Sequence, residues 1–166
     1  KLMKNQRTLL TLEQVLDKYV DGPSTGIFTD GSCSGNPGPG GWGVVVVDDN
    51  EIIDQKFGSA EDTTNNKMEL TALLEAMKIA QNIKVSNIYT DSQLLVNTFT
   101  SWAIKWEKMG WRRKSGPIKN IELIQEIYFL FNKQNEYSLK WIPAHSGFRW
   151  NEYADALSTS YLREIL

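Results

Sequence analysis

The sequence contains a single cysteine, Cys33, and a single histidine, His145, among 166 residues. One cysteine excludes an internal disulfide; a reducing, cytoplasmic setting fits without being required. Long apolar runs are also missing. The longest, GVVVV at Gly43–Val47, has the length of a buried strand and falls far short of a membrane span. The first residues, KLMKNQRTLL, lack the extended apolar core of a secretory signal. Internal repeats and low-complexity tracts are absent. There is no excess of either charge: 18 Lys and Arg against 20 Asp and Glu leave a net charge of −2. Bulk charge therefore does not advertise a nucleic-acid partner. Exposed charges are screened beyond about 8 Å, so the distribution of Lys and Arg decides more than their sum. The composition that remains, 41% hydrophobic and 23% charged, is that of a soluble globular chain with one core.

Residues 1–25 read differently from the rest. Thr11 and Gln14 have the spacing of a capping box, and Leu12, Val15, Leu16, Tyr19 and Val20 follow at helical spacing. Asp21-Gly22-Pro23-Ser24 breaks that helix. The pattern predicts an N-terminal extension, a short amphipathic helix plus linker, before a body that spans 26–166; its apolar stripe favours packing on that body over docking a partner or being the remnant of a longer polypeptide. In the body, Gly26–Thr29 reads as a strand ending at Asp30, followed by a Gly/Pro loop from Gly31 to Gly41. Trp42–Asp48 and Glu51–Phe57 form a hairpin around Asp48-Asp49-Asn50. Helices are predicted over Lys67–Asn82, Ser92–Trp102, Ile121–Asn135 and Asn151–Ile165, and strands over Asn87–Thr90 and Ser138–Ile142. Strands first, then strand–helix alternation, imply an α/β fold with helices packed on a mixed sheet.

Four acids occupy recognisable settings: Asp30 in FTDGSCSGNPGPGG, Glu69 in TTNNKMEL, Asp91 in YTDSQ and Asp155 in NEYADALS. Each has an ordinary explanation. Asp-Gly is a common turn pair. Glu69 in a first helical turn suits the helix dipole, and Asp91 suits an N-cap. Asp155 reads equally as a solvated helical acid. Against this, the ends of central strands are where open α/β sheets place their sites, and acids gathered from distant segments suit metal-assisted phosphoryl transfer. The loop after Asp30 lacks the Gly-Lys-Ser/Thr ending of a phosphate-binding P-loop; its glycines let backbone approach a partner closely. Asn65 and Asn66 read either as caps or as amides for base edges in a minor groove. His145 lies on a loop leading to the helix of Asp155, which sets a proton shuttle beside a metal ligand; a bland loop histidine is the alternative.

The segment Trp102–Lys119 interleaves Trp102, Trp106 and Trp111 with Lys105, Lys108, Arg112, Arg113, Lys114 and Lys119, opposed only by Glu107. Some of these tryptophans anchor a helical corner. So many cations among them also suit a nucleic-acid groove, where indoles stack and cations hold phosphates.

From Gly26 to Leu162 the chain resembles type 1 ribonuclease H. The resemblance is carried by TDGSCSGNPGPGGWG, TTNNKMEL, YTDSQ, the W-x3-W and GW pattern with its basic neighbours, and HSGFRWNEYAD, in family order and at family spacing. It implies a ribonuclease H-like fold, a five-stranded mixed sheet flanked by helices, and hydrolysis of the RNA strand of RNA–DNA hybrids to 5′-phosphate and 3′-hydroxyl ends. It implies that Asp30, Glu69, Asp91 and Asp155 hold two Mg²⁺ ions, with Mn²⁺ able to substitute, and that His145 assists proton transfer or product release. Asn36, Asn65 and Asn66 are then expected at the hybrid's minor groove, and the backbone of Cys33 near an RNA sugar. Thr64 and Asn120 resemble a pocket for a DNA-strand phosphate, and Trp106 the wall of the DNA channel. Lys108, Arg112, Arg113 and Lys114 resemble a basic protrusion. The expected protein is a monomer acting on hybrid duplex without a membrane. Two other readings stand beside it: a ribonuclease H domain of a reverse transcriptase or polyprotein, and a non-catalytic hybrid-binding module. The chain departs from the family pattern in its N-terminal helix, in Glu107 where relatives often carry a base, and in Arg149 and Trp150, which add bulk near the His145 loop.

Overall fold

The computed structural model describes residues 9–133, 137–163 and 165–166. The elements follow in the order α1 (Leu12–Lys18), β1 (Gly26–Cys33), β2 (Gly38–Asp48), β3 (Glu51–Thr63), α2 (Asn65–Ala80), β4 (Asn87–Thr90), α3 (Gln93–Asn97), α4 (Ala103–Lys108), α5 (Ile121–Lys133), β5 (Ser138–Trp141) and α6 (Arg149–Ser158). The five strands form one mixed sheet in the order β3-β2-β1-β4-β5. β1, β2 and β3 pair antiparallel, whereas β4 runs parallel to both β1 and β5.

Every residue of β1 is buried, because helices cover both faces of this central strand. Ile27, Val44, Val46 and Ile88 point into the core under α2 and α5, with Leu70, Leu73, Met77 and Ile127. Phe28, Val45, Val47 and Tyr89 point the other way, against Trp150, Tyr153 and Leu157 of α6 and Val15 of α1. The period-2 alternation of a strand thus builds two cores from one run of apolar residues.

The hairpin turn falls at Asp49 and Asn50, both with positive φ (48° and 64°), as the tight primed turns between twisted strands require. The expected Gly/Pro loop is much shorter than its composition predicts. β1 continues through Asp30 to Cys33, and β2 starts at Gly38. The close approach permitted by the glycines is met within the chain. A Cβ on Gly43 would lie 2.5 Å from the Leu157 Cβ and 2.7 Å from the Ala154 carbonyl, so α6 can lie on β2 only because Gly43 has no side chain.

Gln93 to Lys108 is a continuous helical run with a π-turn at Thr98–Trp102. The hydroxyls of Thr98 and Thr100 donate to the carbonyls of Leu94 and Val96 (2.7 and 2.6 Å), competing with the backbone ladder in the preceding turn. The final helix stops at Ser158, well before the expected Ile165. The Ser158 hydroxyl donates back to Asp155 O (2.7 Å), that of Thr159 to Asp155 O and Ala156 O (both 3.2 Å), and a 3-10 turn, Ser160–Leu162, follows. The expected end of the preceding helix at Asn135 lies outside the described residues.

The N-terminal helix packs on the body, as its apolar stripe predicts. Its capping box is formed in full, with Gln14 N donating to Thr11 Oγ1 (3.2 Å) and Thr11 N to Gln14 Oε1 (2.9 Å). Val15 is buried against α6, and Leu12 N donates to Leu166 O at 2.7 Å. Gly43→Ala is expected to lower stability by about 1–3 kcal/mol through overpacking between β2 and α6, read as a reduced denaturant midpoint at unchanged slope.

Candidate active site

Phe28 on β1 pairs with Tyr89 on β4. Both strands run in the same direction, so two residues further on Asp30 and Asp91 come level at the carboxyl edge of the sheet. The Thr29 hydroxyl reinforces the pairing, donating to Tyr89 O at 3.1 Å. The third acid arrives from α2. A Cβ on Gly31 would lie 2.4 Å from Glu69 N, so the absence of a side chain there lets the helix backbone rest directly on β1. As a result Asp30, Glu69 and Asp91 bring carboxylate oxygens within 4.8 Å of one another, the first two buried and Asp91 partly open.

Asp155 belongs to a second group. It lies with His145 and Glu152, their ligand atoms again within 4.8 Å of one another. The two groups are linked through Asn151, whose Nδ2 donates to Asp91 Oδ2 at 3.4 Å. A cavity of about 400 Å³ opens beside the second group, lined among others by Lys18, Tyr19, His145, Glu152, Asp155 and Arg163.

Local geometry removes the ordinary explanation for each acid. Asp30 is not in a turn; it pairs with Gly43 inside a strand. Glu69 is in the second turn of α2, because Thr64 is the N-cap, and the dipole acts over the first turn. Ser92, not Asp91, caps α3, its Oγ accepting from Leu95 N at 3.2 Å. Asp155 is deep in α6 and only 4% exposed.

The remaining candidates divide by position. Asn36 Oδ1 accepts the Asn65 N–H at 3.1 Å, which joins the loop before β2 to the first residue of α2. Thr64 Oγ1 accepts from Lys67 N (3.2 Å). Asn120, with φ of 56°, opens α5 through Ile124 N–H to its carbonyl (2.9 Å). Cys33 occupies a strand and not a loop. Its buried thiol donates to the carbonyls of Gly38 and Thr63 (both 3.5 Å), and burial pushes its pKa up.

A groove of about 400 Å³ is lined by Asn66, Trp102, Trp106, Arg113, Ile118 and Lys119, among others. Trp102 and Trp106 are tilted neighbours at 6.2 Å, whereas Trp111 packs edge-on against Tyr128 at 5.6 Å and serves as an anchor. Lys108, Arg112 and Lys114 are exposed. Arg113 also closes its own loop, donating to Gly116 O (3.1 Å) and Pro117 O (2.8 Å). Glu107 accepts from the Tyr128 hydroxyl at 3.4 Å. Trp150 does not belong to the histidine loop: it is 2% exposed in α6, and its indole N–H donates to Asn50 Oδ1 at 2.9 Å.

Two residues escaped the sequence reading, Asn151 and Glu152. Their signal was helical spacing, since they precede Asp155 by four and three residues and share its side of α6.

The family model for RNase H matches residues 23–163. The chain belongs to the ribonuclease H family. It is similar to the ribonuclease H of Ehrlichia ruminantium (strain Gardel), 44% identical over 139 residues, covering 82% of this chain and 92% of the relative. It is likewise similar to the ribonuclease H of Hahella chejuensis (strain KCTC 2396), 43% identical over 145 residues, covering 84% and 94%. Among solved structures, LC9-RNase H1, described as a type 1 RNase H with the type 2 active-site motif, superposes with a TM-score of 0.67 at 32% identity, over 85% of this chain and 74% of that one. LC11-RNase H1 in complex with RNA/DNA hybrid gives a TM-score of 0.61 at 25% identity, over 81% and 93%. The family is metal-dependent, and a group of three carboxylates fits a hard divalent cation with oxygen ligands. Mg²⁺ or Mn²⁺ at about 100 times its dissociation constant is expected to raise stability by about 2.7 kcal/mol. Differential scanning calorimetry of Asp30→Asn should show that gain largely lost.

Proposed function

We propose that this chain, a ribonuclease H by family, hydrolyses the RNA strand of RNA–DNA hybrids with two Mg²⁺ ions held by Asp30, Glu69, Asp91 and Asp155. The observation that carries the reading is the meeting of Asp30, Glu69 and Asp91 at the carboxyl edge of two parallel central strands, with a tryptophan- and cation-lined groove elsewhere on the same molecule.

The donor set is oxygen-only in the first group, which suits Mg²⁺ and equally Mn²⁺. When bound, such ions supply an activated water nucleophile, charge neutralisation at the phosphate and stabilisation of the departing 3′ oxygen. The protein's share is placement. Asp30 and Glu69 are held by β1 and α2 pressed together at Gly31, and Asp91 is steadied by the Asn151 amide. Such preorganisation costs no rearrangement at the moment of reaction. Water oxygen forms the new bond to phosphorus and the bond to the 3′ oxygen breaks, so a 5′-phosphate and a 3′-hydroxyl result. His145, beside Asp155, holds or delivers the proton that the leaving oxygen needs. The RNA 2′-OH does not react in this scheme; it marks the strand to be cut.

Substrate recognition follows from two surfaces. Asn36 and Asn65, joined by a hydrogen bond, and Asn66, at the tryptophan-lined groove, carry amides of the kind that suit minor-groove acceptors. Trp106, with Arg113 and Lys119 in the same groove, suits the DNA backbone: the indole packs on sugar while the cations hold phosphates. The solved LC11 relative bound to RNA/DNA hybrid supports a duplex of this kind as ligand.

Asp30→Asn and Asp91→Asn are each expected to abolish cleavage of a labelled hybrid while leaving its binding largely intact; substantial residual turnover in both would sink the assignment. The parent should cut RNA–DNA but not RNA–RNA or DNA–DNA duplex, and only with Mg²⁺ or Mn²⁺. Replacing Lys108, Arg112, Arg113 and Lys114 with Ala should weaken hybrid binding and reduce the slope of log K against log salt by about 0.9 per lost phosphate contact. An unchanged slope places the phosphate contacts elsewhere.

A further inference from the structure

The loop that carries His145 is held at its far end by residues that lie outside the sheet and its covering helices. Just after α1, Asp21 forms an isolated parallel bridge with Phe148. The Arg149 N–H donates to Asp21 O at 2.9 Å, and Arg149 Nε donates to Tyr19 O at 2.6 Å. The Tyr19 ring lies beneath Gly147, where a Cβ would be 3.7 Å from its Cδ1. Gly22, at φ +95°, lies against the Phe148 ring, so that a Cβ there would be 2.8 Å from Phe148 Cγ. Tyr19 also lines the same cavity as His145, Glu152 and Asp155. The strap is itself anchored, because Val15 of α1 is buried against α6.

His145 is exposed, at φ 53°, on a loop containing Ser146 and Gly147. Loops of this composition sample many conformations unless something outside them selects one. A histidine can move a proton only from within hydrogen-bond reach of its target.

We propose that Tyr19–Gly22 is a positioning strap for the histidine loop. It holds Phe148 and Arg149, and through them keeps His145 beside Asp155, so that it sets turnover and not affinity for the hybrid. The proposal rests on the role given to His145 above. Tyr19, Asp21, Gly22 and Arg149 are positioning residues; none of them is assigned contact with the reacting phosphate. One hydrogen bond of ordinary strength shifts a two-state loop population by about fivefold, which sets the size of effect to look for.

The test uses the full chain, with Arg149→Met removing the guanidinium donor while keeping an apolar stem, and Gly22→Ala pressing a methyl into Phe148. Each is made in the parent and in a His145→Ala background, with kcat and KM measured on an RNA–DNA hybrid and active concentration fixed by titration with a non-cleavable hybrid. In the parent each should lower kcat about three- to tenfold with KM within about twofold. In the His145→Ala background each should change kcat by less than about twofold, because the group they position is gone. Arg149→Lys, which restores a donor, should recover most of the loss. Equal falls in both backgrounds would overturn the strap and leave an ordinary structural role, as would unchanged kcat in both parent variants. If His145→Ala alone leaves kcat unchanged, the role of His145 falls and the strap with it; a fall in His145→Ala with silent strap variants rejects the strap alone.

Discussion

The parallel pairing of β1 with β4 holds the rest of the site in place. Phe28 opposite Tyr89, stacked ring on ring at 4.7 Å and tied by the Thr29 hydroxyl, brings Asp30 and Asp91 level. Parallel strands need a crossover between them, and α2 lies on that crossover, with Glu69 in its second turn. The topology that makes the pairing possible therefore also delivers the third acid. Gly31 completes the arrangement by letting the α2 backbone at Met68 and Glu69 come directly against the β1 backbone.

Concentrating carboxylates in a mostly buried pocket opposes folding through repulsion and lost hydration. The core around them compensates. β1 is covered on both faces, and the helices that cover it are the ones that bring Glu69 and Asp155. α6 serves twice: its apolar side, Trp150, Tyr153 and Leu157, fills one core, while Asn151, Glu152 and Asp155 turn toward the acids and His145. Stability and chemistry are thus carried by opposite sides of one helix, and the N-terminal helix reaches both through its contacts with α6 and with the histidine loop.

Much of the fold was legible because the cues are local. The capping box at Thr11 and Gln14, the strand at Asn87–Thr90 and the turn at Asp49-Asn50 depend on residues close in sequence, and they formed as expected. The errors came where a distant segment decides. GSCSGNPGPGG has the composition of a loop, yet Gly31–Cys33 and Gly38–Gly41 are strand, because α2 and α6 need that backbone bare. Trp111 and Trp106 look alike in the chain, but Tyr128 claims one and the groove the other. Trp150, five residues after His145, went to the core because α6 begins at Arg149.

The sequence by itself determined the residue types in each motif, their order and the periodicities of strand and helix, and through these the family and the kind of chemistry. Tertiary structure alone decided the company each acid keeps. Asp30, Glu69 and Asp91 meet, while Asp155 joins His145 and Glu152, and the Asn151 amide reaches from the helix of Asp155 to Asp91. It also decided that the segment after α1 reaches Phe148 and Arg149. The reason is physical. Propensity and pattern act over a few residues, whereas these neighbours are set by strand register, by helices seated on bare glycine backbone and by which side of α6 the apolar core takes.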